Sequence, residues 1–251
     1  MPSHVTTTRH WKTTVAQYQH EMAWVSQRLA DVLKQAWNND GEFSGSAPFL
    51  GVDSSPQWMK ETLQRCDGSP FHRQWLEKCL NILKNTLPQA VLGQLAEIES
   101  ERSAIACHQC GVCCRLASQD EDYETLLAKA SGGDTFAQEF TRVFLPYETR
   151  QHAENRFPEL VAALQAEVGE ERPLHFYHCP YVGQDNRCTV YGTAKRPAFC
   201  GTYPETPLSA IQPNCAWKPW QGEQHTITLQ CHATLVLCEA WHEHISETLS
   251  C

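Results

Sequence analysis

The sequence predicts a mostly α-helical protein with an irregular, loop-rich cysteine core and few short strands. In the first hundred residues, apolar side chains recur at steps of three and four, the spacing of helices that bury one face. From Arg172 to Trp220 the chain is rich in proline, aromatic residues and cysteine, which predicts loops with sparse regular structure. After Trp220 the helical spacing returns and continues almost to the end of the sequence.

The N-terminal region begins with a long predicted helix. From Tyr18 to Trp37, the apolar residues between Met22 and Ala36 form one continuous stripe, which indicates a helix with a core-facing side. The following residues, 38–56, are rich in Gly, Ser, Asp and Pro and predict a loop.

Serine–proline pairs open the next two predicted helices. Ser55-Pro56 and Ser69-Pro70 each place a capping residue before a first-turn proline. Pro88 is expected to end or kink the second of these helices, because its ring removes a backbone donor and clashes with the preceding turn. A further helix is predicted from Gln89 to Arg102.

Short helices and strands are predicted farther along the chain, separated by glycine and proline. The predicted helices are Tyr123 to Lys129, Thr135 to Phe144, and Glu148 to Val168 with a break at Pro158. The predicted strands are Leu174 to Tyr177 and Cys188 to Tyr191.

Three regions are expected along the chain. Residues 1–104 form a helical N-terminal region that packs on the core, residues 105–222 form a cysteine-cluster domain, and residues 223–251 add a final helix to the same body. The reason is burial, because the loop-rich segment alone contains too little apolar surface to fold by itself.

Composition and charge exclude several classes of function. The formal net charge is −9 and no basic run occurs, so nucleic acid and anionic membranes are not expected partners. No secretion signal is visible, and the most apolar stretch, Ala233 to Trp241, is far shorter than the ~20 residues of a spanning helix. We therefore expect a cytoplasmic protein. Its thirteen cysteines are expected to stay free thiols unless they bind a metal or take part in a catalytic cycle.

The central motif is the sequence CHQCGVCC from Cys107 to Cys114. Two residues between successive cysteines let a tight turn bring both sulfurs to one metal or cluster, and Gly111 supplies a positive φ. Because adjacent side chains diverge, the last two cysteines are expected to serve two metals, or one of them to pack or react. Four more cysteines follow in the loop-rich segment. The predicted metal ligands are Cys107, Cys110, Cys113, Cys114, Cys179, Cys188, Cys200 and Cys215.

The remaining cysteines and the nearby histidines are interpreted differently. Cys79, Cys231 and Cys238 lie on apolar helix faces and are assigned to the core, whereas Cys66 and Cys251 stand alone and are assigned to core or surface. His108, His175 and His178 neighbour predicted ligands, so they are candidates to replace a ligand or to donate hydrogen bonds to one.

Iron–sulfur chemistry is the favoured interpretation of these cysteines. In bacterial ferredoxins, three cysteines at this spacing hold a [4Fe–4S] cluster together with a remote cysteine that precedes proline. Cys179-Pro180 provides such a remote cysteine here. Zinc is the competing interpretation, because eight thiolates also make two tetrahedral four-thiolate sites.

These residues resemble the CxxCxxCC, or YkgJ-like, family of zinc- or iron-chelating domains. The resemblance covers about Cys107 to Trp220 and implies metal chelation with no assigned reaction. Beyond the first motif it rests on Cys179-Pro180, Cys188 to Tyr191, Arg196-Pro197, Cys200 and Tyr203-Pro204.

The chain departs from the family pattern at two places. Two extra residues separate Tyr191 from Arg196, and Gly201 stands where the family usually has arginine. The missing guanidinium removes the cation expected next to Cys200. Arg196 is expected either to donate hydrogen bonds to sulfur or carbonyl oxygen near the ligands, or to form a surface ion pair.

Three functions are compatible with the sequence. The first is a metal-binding protein whose centre is structural, redox-active or sensing, supported by the abundance of thiolate ligands. The second is an enzyme that uses the centre on a protein or small-molecule substrate, supported by the surplus thiols and by tyrosines near them. The third is metal storage or delivery.

Overall fold

A computed structural model of the chain describes residues 15–38, 58–66, 68–169, 173–209, 211–212 and 214–250. Its contacts divide the chain into two compact units. The cysteine unit contains the described residues of 101–224, and the helical unit contains those of 15–100 and 225–251. The expected packing of an N-terminal helical region on the cysteine core stays a prediction.

The predicted fold class is confirmed, because the described residues are mostly helical and their strands are short. A single π-helical turn, Ile82–Thr86, lies between α3 and α4. No helix in the described part of the chain combines the length and apolar character needed to cross a membrane. In chain order, the elements are α1 Val15–Asn38, α2 Trp58–Leu63, α3 Pro70–Asn81, α4 Leu87–Ala104, α5 Val112–Arg115, β1 Ala117–Gln119, α6 Tyr123–Ser131, α7 Thr135–Val143, β2 Leu145–Pro146, α8 Arg150–Arg156, α9 Pro158–Val168, β3 His175–His178, α10 Phe199–Thr202 and α11 Lys218–Ser250.

The helical unit is built around the stripe of α1, as the sequence predicts. Val25, Leu29 and Leu33 are buried at four-residue steps. The indole of Trp75, from α3, is buried against them and donates a hydrogen bond from Nε1 to the Leu33 carbonyl at 3.0 Å. Residues of α11 from Ala233 to Ile245 complete this core.

The predicted start of α3 is confirmed. Ser69 is its capping residue, accepting a hydrogen bond from the His72 amide, and Pro70 opens the first turn. The capping pair Ser55-Pro56 and the predicted loop of residues 38–56 lie outside the described residues, apart from Asn38 at the end of α1.

Pro88 interrupts the helix, although the interruption takes a different form from the predicted end or kink. The α-helical hydrogen-bond pattern of α3 changes to a π-helical turn at Ile82–Thr86, and α4 then begins at Leu87. Pro88 thus stands in the first turn of a new helix, where the backbone donor that proline lacks is not needed.

A small antiparallel sheet, with strand order β1-β3-β2, organises the cysteine unit. Neighbouring residues of β3 face opposite sides: Phe176 joins a cluster with Leu116 and Leu164, and Tyr177 joins one with Leu126 and Phe140. The central strand is therefore held by apolar packing on both faces, and it ends immediately before Cys179.

Two strand predictions have different outcomes. The strand predicted at Leu174 to Tyr177 is confirmed as β3, shifted by one residue. The strand predicted at Cys188 to Tyr191 is wrong, because only an isolated bridge between Val182 and Cys188 forms there. The Tyr191 amide donates to the Cys188 carbonyl at 3.2 Å, which closes a turn where a strand would stay extended.

Candidate metal centre

All eight cysteines predicted as metal ligands line one cavity of about 190 Å³ in the cysteine unit. They come from separate parts of the sequence and none forms a disulfide. The fold therefore brings together every thiol that the sequence singled out. Their role as ligands stays a prediction.

The loop that carries the first cysteines is shaped by two residues with left-handed backbone, Gln109 and Gly111, at φ 51° and 74°. The Gln109 amide donates a hydrogen bond to the Cys107 sulfur at 3.3 Å. At Gly111 a Cβ atom would lie 2.2 Å from the Asn186 carbonyl oxygen, so a side chain has no room there. Gly111 is thus required both for its φ and for close approach of another loop.

That approaching loop is a hairpin between Cys179 and Cys188. Its two arms pair, because the Gly183 amide donates to the Arg187 carbonyl and the Thr189 amide to the Tyr181 carbonyl, both at 2.8 Å. Cys188 lies opposite Val182 in this pairing, and both Cys179 and Cys188 line the cavity.

The hairpin is fastened to the first motif at two points. The Cys179 amide donates to the Cys114 carbonyl at 2.7 Å. Arg115 donates from Nε to Asn186 Oδ1 at 2.7 Å and from Nη2 to the Gly183 carbonyl at 2.9 Å. Sequence analysis did not single out Arg115, although its position directly after the paired cysteines is a signal that could have drawn attention to it.

Cys200 lies in the short helix α10, beside Arg196. The Arg196 guanidinium donates from Nη2 to the Cys200 carbonyl and lies over the ring of Tyr191, 4.4 Å from its centroid. This contact agrees with the expected donation to a carbonyl oxygen near the ligands. A Cβ atom at Gly201 would meet nothing within 4 Å, so the absent arginine leaves open space.

Cys215 is held on a turn that is anchored on both sides of the first motif. Its amide donates to the Gln212 carbonyl at 3.0 Å, and the Gln212 side chain donates from Nε2 to the Leu116 carbonyl, also at 3.0 Å. On the other side, the Trp217 indole donates to the Arg102 carbonyl at 3.2 Å. The sequence contains no pattern that identifies Gln212 as an anchor.

The adjacent thiols of Cys113 and Cys114 influence each other most strongly. Their sulfurs are 4.0 Å apart. The contact with Cys114 raises the pKa of Cys113, and the same contact, aided by the Arg196 and Arg115 cations, lowers the pKa of Cys114 to about 7. A cation at this place therefore favours the thiolate form, the form that binds metal.

Burial is the main influence on the other thiols. It raises the pKa of Cys179 to about 11 and that of Cys200 to about 12, and in both cases nearby cysteines raise the pKa further. Burial also raises the pKa of Cys215, with Cys107 and Cys110 adding to the effect. These thiols keep their protons at neutral pH unless a metal cation replaces them.

The donor set fits a thiophilic metal, but the side chains are not gathered around one point. Four thiolates that share one zinc at ~2.3 Å lie about 3.8 Å from one another. Among the described residues, no group of three or more His, Cys, Asp or Glu side chains is arranged to hold a metal ion. The cysteines instead line the wall of the cavity.

Cysteines outside the cavity behave as predicted where they are described. Cys79, Cys231 and Cys238 are buried, and Cys66 is half-buried, with its thiol donating to the Thr62 carbonyl at 3.6 Å. Cys251 lies outside the described residues. Of the three neighbouring histidines, His108 lines the cavity, while His175 and His178 belong to β3, where His178 packs on Tyr147.

Comparison with curated proteins and with solved structures gives no match. A family model does match residues 106–231, which is half of the chain and contains all eight cysteines of the cavity. The family is described as a "putative zinc- or iron-chelating domain". The chain therefore belongs to the CxxCxxCC family of zinc- or iron-chelating domains.

Proposed function

We propose that this protein binds an iron–sulfur cluster through its cysteines and uses it in a structural, redox or sensing role. The observation that carries the proposal is the convergence of eight thiols on one cavity. Membership of a zinc- or iron-chelating family supports metal binding in general. The choice of cluster over zinc depends on the shape of the site and the spacing of its ligands.

The size of the cavity supports a cluster. Its volume of about 190 Å³ is more than ten times the roughly 10–15 Å³ that one water molecule requires. A cluster stands between its ligands and keeps their sulfurs apart, whereas a single zinc draws four sulfurs together. The eight thiols line the wall of a cavity with room for such a cluster.

The chain's own residues supply the charge balance and the shielding. Arg115 and Arg196 place cations beside Cys114, which offset the negative charge that several thiolates bring. Apolar side chains such as Phe136, Phe140 and Leu164 line the cavity and limit access of water. A bound cluster would supply reversible one-electron chemistry at this site.

Anaerobic purification followed by elemental analysis and a visible spectrum tests the proposal. We expect iron and acid-labile sulfide in equal amounts, with broad visible absorption that decreases on reduction by dithionite. Zinc without iron or visible absorption would contradict the cluster and retain metal binding, because zinc is colourless and has no redox chemistry. Absence of both metals from the anaerobic protein would contradict the proposal altogether.

One observation favours a bound small molecule, and with it the second candidate function, an enzyme that uses the centre on a substrate. Gln212 lines the cavity and is only 6% exposed, yet within the described part of the chain its Oε1 atom has no hydrogen-bond partner. Neither a thiolate nor a cluster sulfide can donate to that oxygen, so it is placed to accept from an O–H or N–H group of a bound molecule. Stabilisation of the metal-loaded wild type by small organic molecules in a thermal-shift screen, and its loss in a Gln212→Leu variant that retains the metal content of the wild type, would support this function.

A further inference from the structure

Hydrogen bonds of the backbone and of neighbouring side chains associate the eight cysteines of the cavity in two sets. This assignment rests on the proposed function, namely that these cysteines bind metal. We propose that they form two centres of four thiolates each. The first centre is held by Cys107, Cys110, Cys113 and Cys215, and the second by Cys114, Cys179, Cys188 and Cys200.

The two adjacent cysteines Cys113 and Cys114 are assigned to different centres. Cys113 and Cys114 are neighbours on the single turn of α5, and side chains at successive helical positions do not face each other. Their sulfurs are 4.0 Å apart, and both residues line the cavity. Their neighbours differ, because the Cys114 carbonyl accepts a hydrogen bond from the Cys179 amide, whereas Cys113 follows the loop that carries Cys107 and Cys110. We assign the two thiols to different centres on this difference.

Three cysteines accompany Cys114. The sheet and the Cys179–Cys114 backbone hydrogen bond place Cys179 beside it, and the hairpin brings Cys188 back to the wall of the same cavity. Arg196 connects Cys200 to Cys188, since it donates to the Cys200 carbonyl and lies over the ring of Tyr191, whose amide donates to the Cys188 carbonyl.

Cys215 accompanies the other three. Its turn is bound to Leu116 through Gln212 and to Arg102 through Trp217. Arg102 and Leu116 lie before and after the motif from Cys107 to Cys114, so the two anchors hold Cys215 against that motif. Because Cys114 is hydrogen-bonded to Cys179, the three earlier cysteines of the motif are assigned to Cys215. The structure thus assigns the remote ligand of the first motif to Cys215, in place of the Cys179-Pro180 pair that the ferredoxin pattern indicates.

Metal content of matched variants tests the two-centre assignment. Purified anaerobically, Cys215→Ser and Cys179→Ser are each expected to contain half the metal of the wild type. Combining Cys110→Ser with Cys215→Ser is expected to cause no further loss, because both residues serve one centre. Combining Cys179→Ser with Cys215→Ser is expected to remove all of the metal, because the two residues serve different centres. Cys79→Ser, in the core of the helical unit, is the control and should retain full metal content.

A second measurement uses the unmodified protein and does not depend on folding of a variant. The metal-loaded protein is exposed to increasing EDTA, and the released thiols are alkylated with N-ethylmaleimide and located by tandem mass spectrometry. We expect the cysteines to react in two blocks of four, with Cys113 and Cys114 in different blocks. Reaction of Cys113 and Cys114 together, or of Cys215 with the Cys114 block, would overturn the assignment. These results presuppose bound metal, whereas a metal-free wild type would instead contradict the proposed function.

Discussion

Gly111 illustrates how much a single residue determines at this site. Its backbone has a positive φ. The Asn186 carbonyl of the hairpin also occupies the space that a side chain at this position would need. Gly201, next to Cys200, is the opposite case, because open space surrounds it. The two glycines each stand next to a cysteine that lines the cavity and therefore form a natural pair for comparison.

We predict that Gly111→Ala destabilises the cysteine unit by roughly 2–4 kcal/mol and lowers its metal content. The left-handed conformation alone costs an alanine ~1–2 kcal/mol, and the Asn186 carbonyl must also move. Thermal unfolding and elemental analysis measure the two effects. Gly201→Ala is the control and should change stability by no more than ~0.5 kcal/mol. Similar behaviour of both variants would show that the hairpin does not constrain Gly111.

Cys238 provides a pH-dependent prediction in the helical unit. Burial raises its pKa from 9.0 to about 12, so the folded protein retains a thiol proton that the unfolded chain releases. Its contribution to stability is therefore complete below pH 9 and is lost as the pH rises toward 12. We expect the stability advantage of wild type over Cys238→Ala to shrink by about 1.4 kcal/mol per pH unit above 9.

Urea unfolding of the reduced protein at a series of pH values measures this difference. Ile245→Val is the matched control, because it removes a methylene from the same buried core without removing a titrating group. Its cost should stay constant with pH. A constant cost for Cys238→Ala as well would mean that the thiol is not protected from ionisation.

Several elements begin or end where neighbouring residues in the sequence determine it. At the start of α3 the Ser69 hydroxyl accepts a hydrogen bond from a backbone amide, and the π-helical turn Ile82–Thr86 comes directly before the helix that has Pro88 in its first turn. Strand β3 differs, because its two faces are filled by apolar clusters from α6, α7 and α9. Helix ends here follow from neighbouring residues, whereas the central strand follows from distant ones.

For the α3 cap, we predict that Ser69→Ala lowers the free energy of unfolding by about 1 kcal/mol. The loss arises because the His72 amide no longer has its side-chain acceptor. Ser69→Thr keeps a hydroxyl and should remain within ~0.5 kcal/mol of the wild type. Chemical denaturation of the three proteins decides the matter, and equal stability of the alanine and threonine variants would contradict a capping role.

In the whole molecule, the larger apolar core and the thiol cluster belong to different units. The core of the helical unit contains none of the eight cavity cysteines, whereas the described part of the cysteine unit has two smaller apolar clusters, one on each face of its sheet. We expect metal–thiolate bonds to supply much of the folding free energy of the cysteine-bearing loops, since such bonds contribute on the order of 10 kcal/mol at a structural zinc site.

Metal removal should therefore affect the two units unequally. After EDTA treatment, we expect hydrogen exchange to increase in peptides covering residues 105–120 and 178–217 and to stay unchanged in α1. Mass spectrometry of the exchanged protein measures both regions in one experiment. A uniform increase over the whole chain would show that the helical core depends on the metal as much as the loops do.

The sequence alone determined the helices and the identity of the candidate ligands. The apolar stripe of α1, the Ser69-Pro70 start of α3 and the break at Pro158 are all recognisable over a few residues, because helix periodicity and capping are local properties. The cysteines were recognisable for a similar reason, since chelation depends on residue type and short spacing.

Only the tertiary structure decided how the cysteines associate. The contact between Gln212 and the Leu116 carbonyl spans 96 residues, and the β1–β3 register places Cys179 beside Cys114. Pairing with β3 also forms a strand as short as β2, whereas Cys188 lies in a turn where local composition predicted a strand. Pairing across such distances depends on the complete backbone path, which no short stretch of sequence encodes.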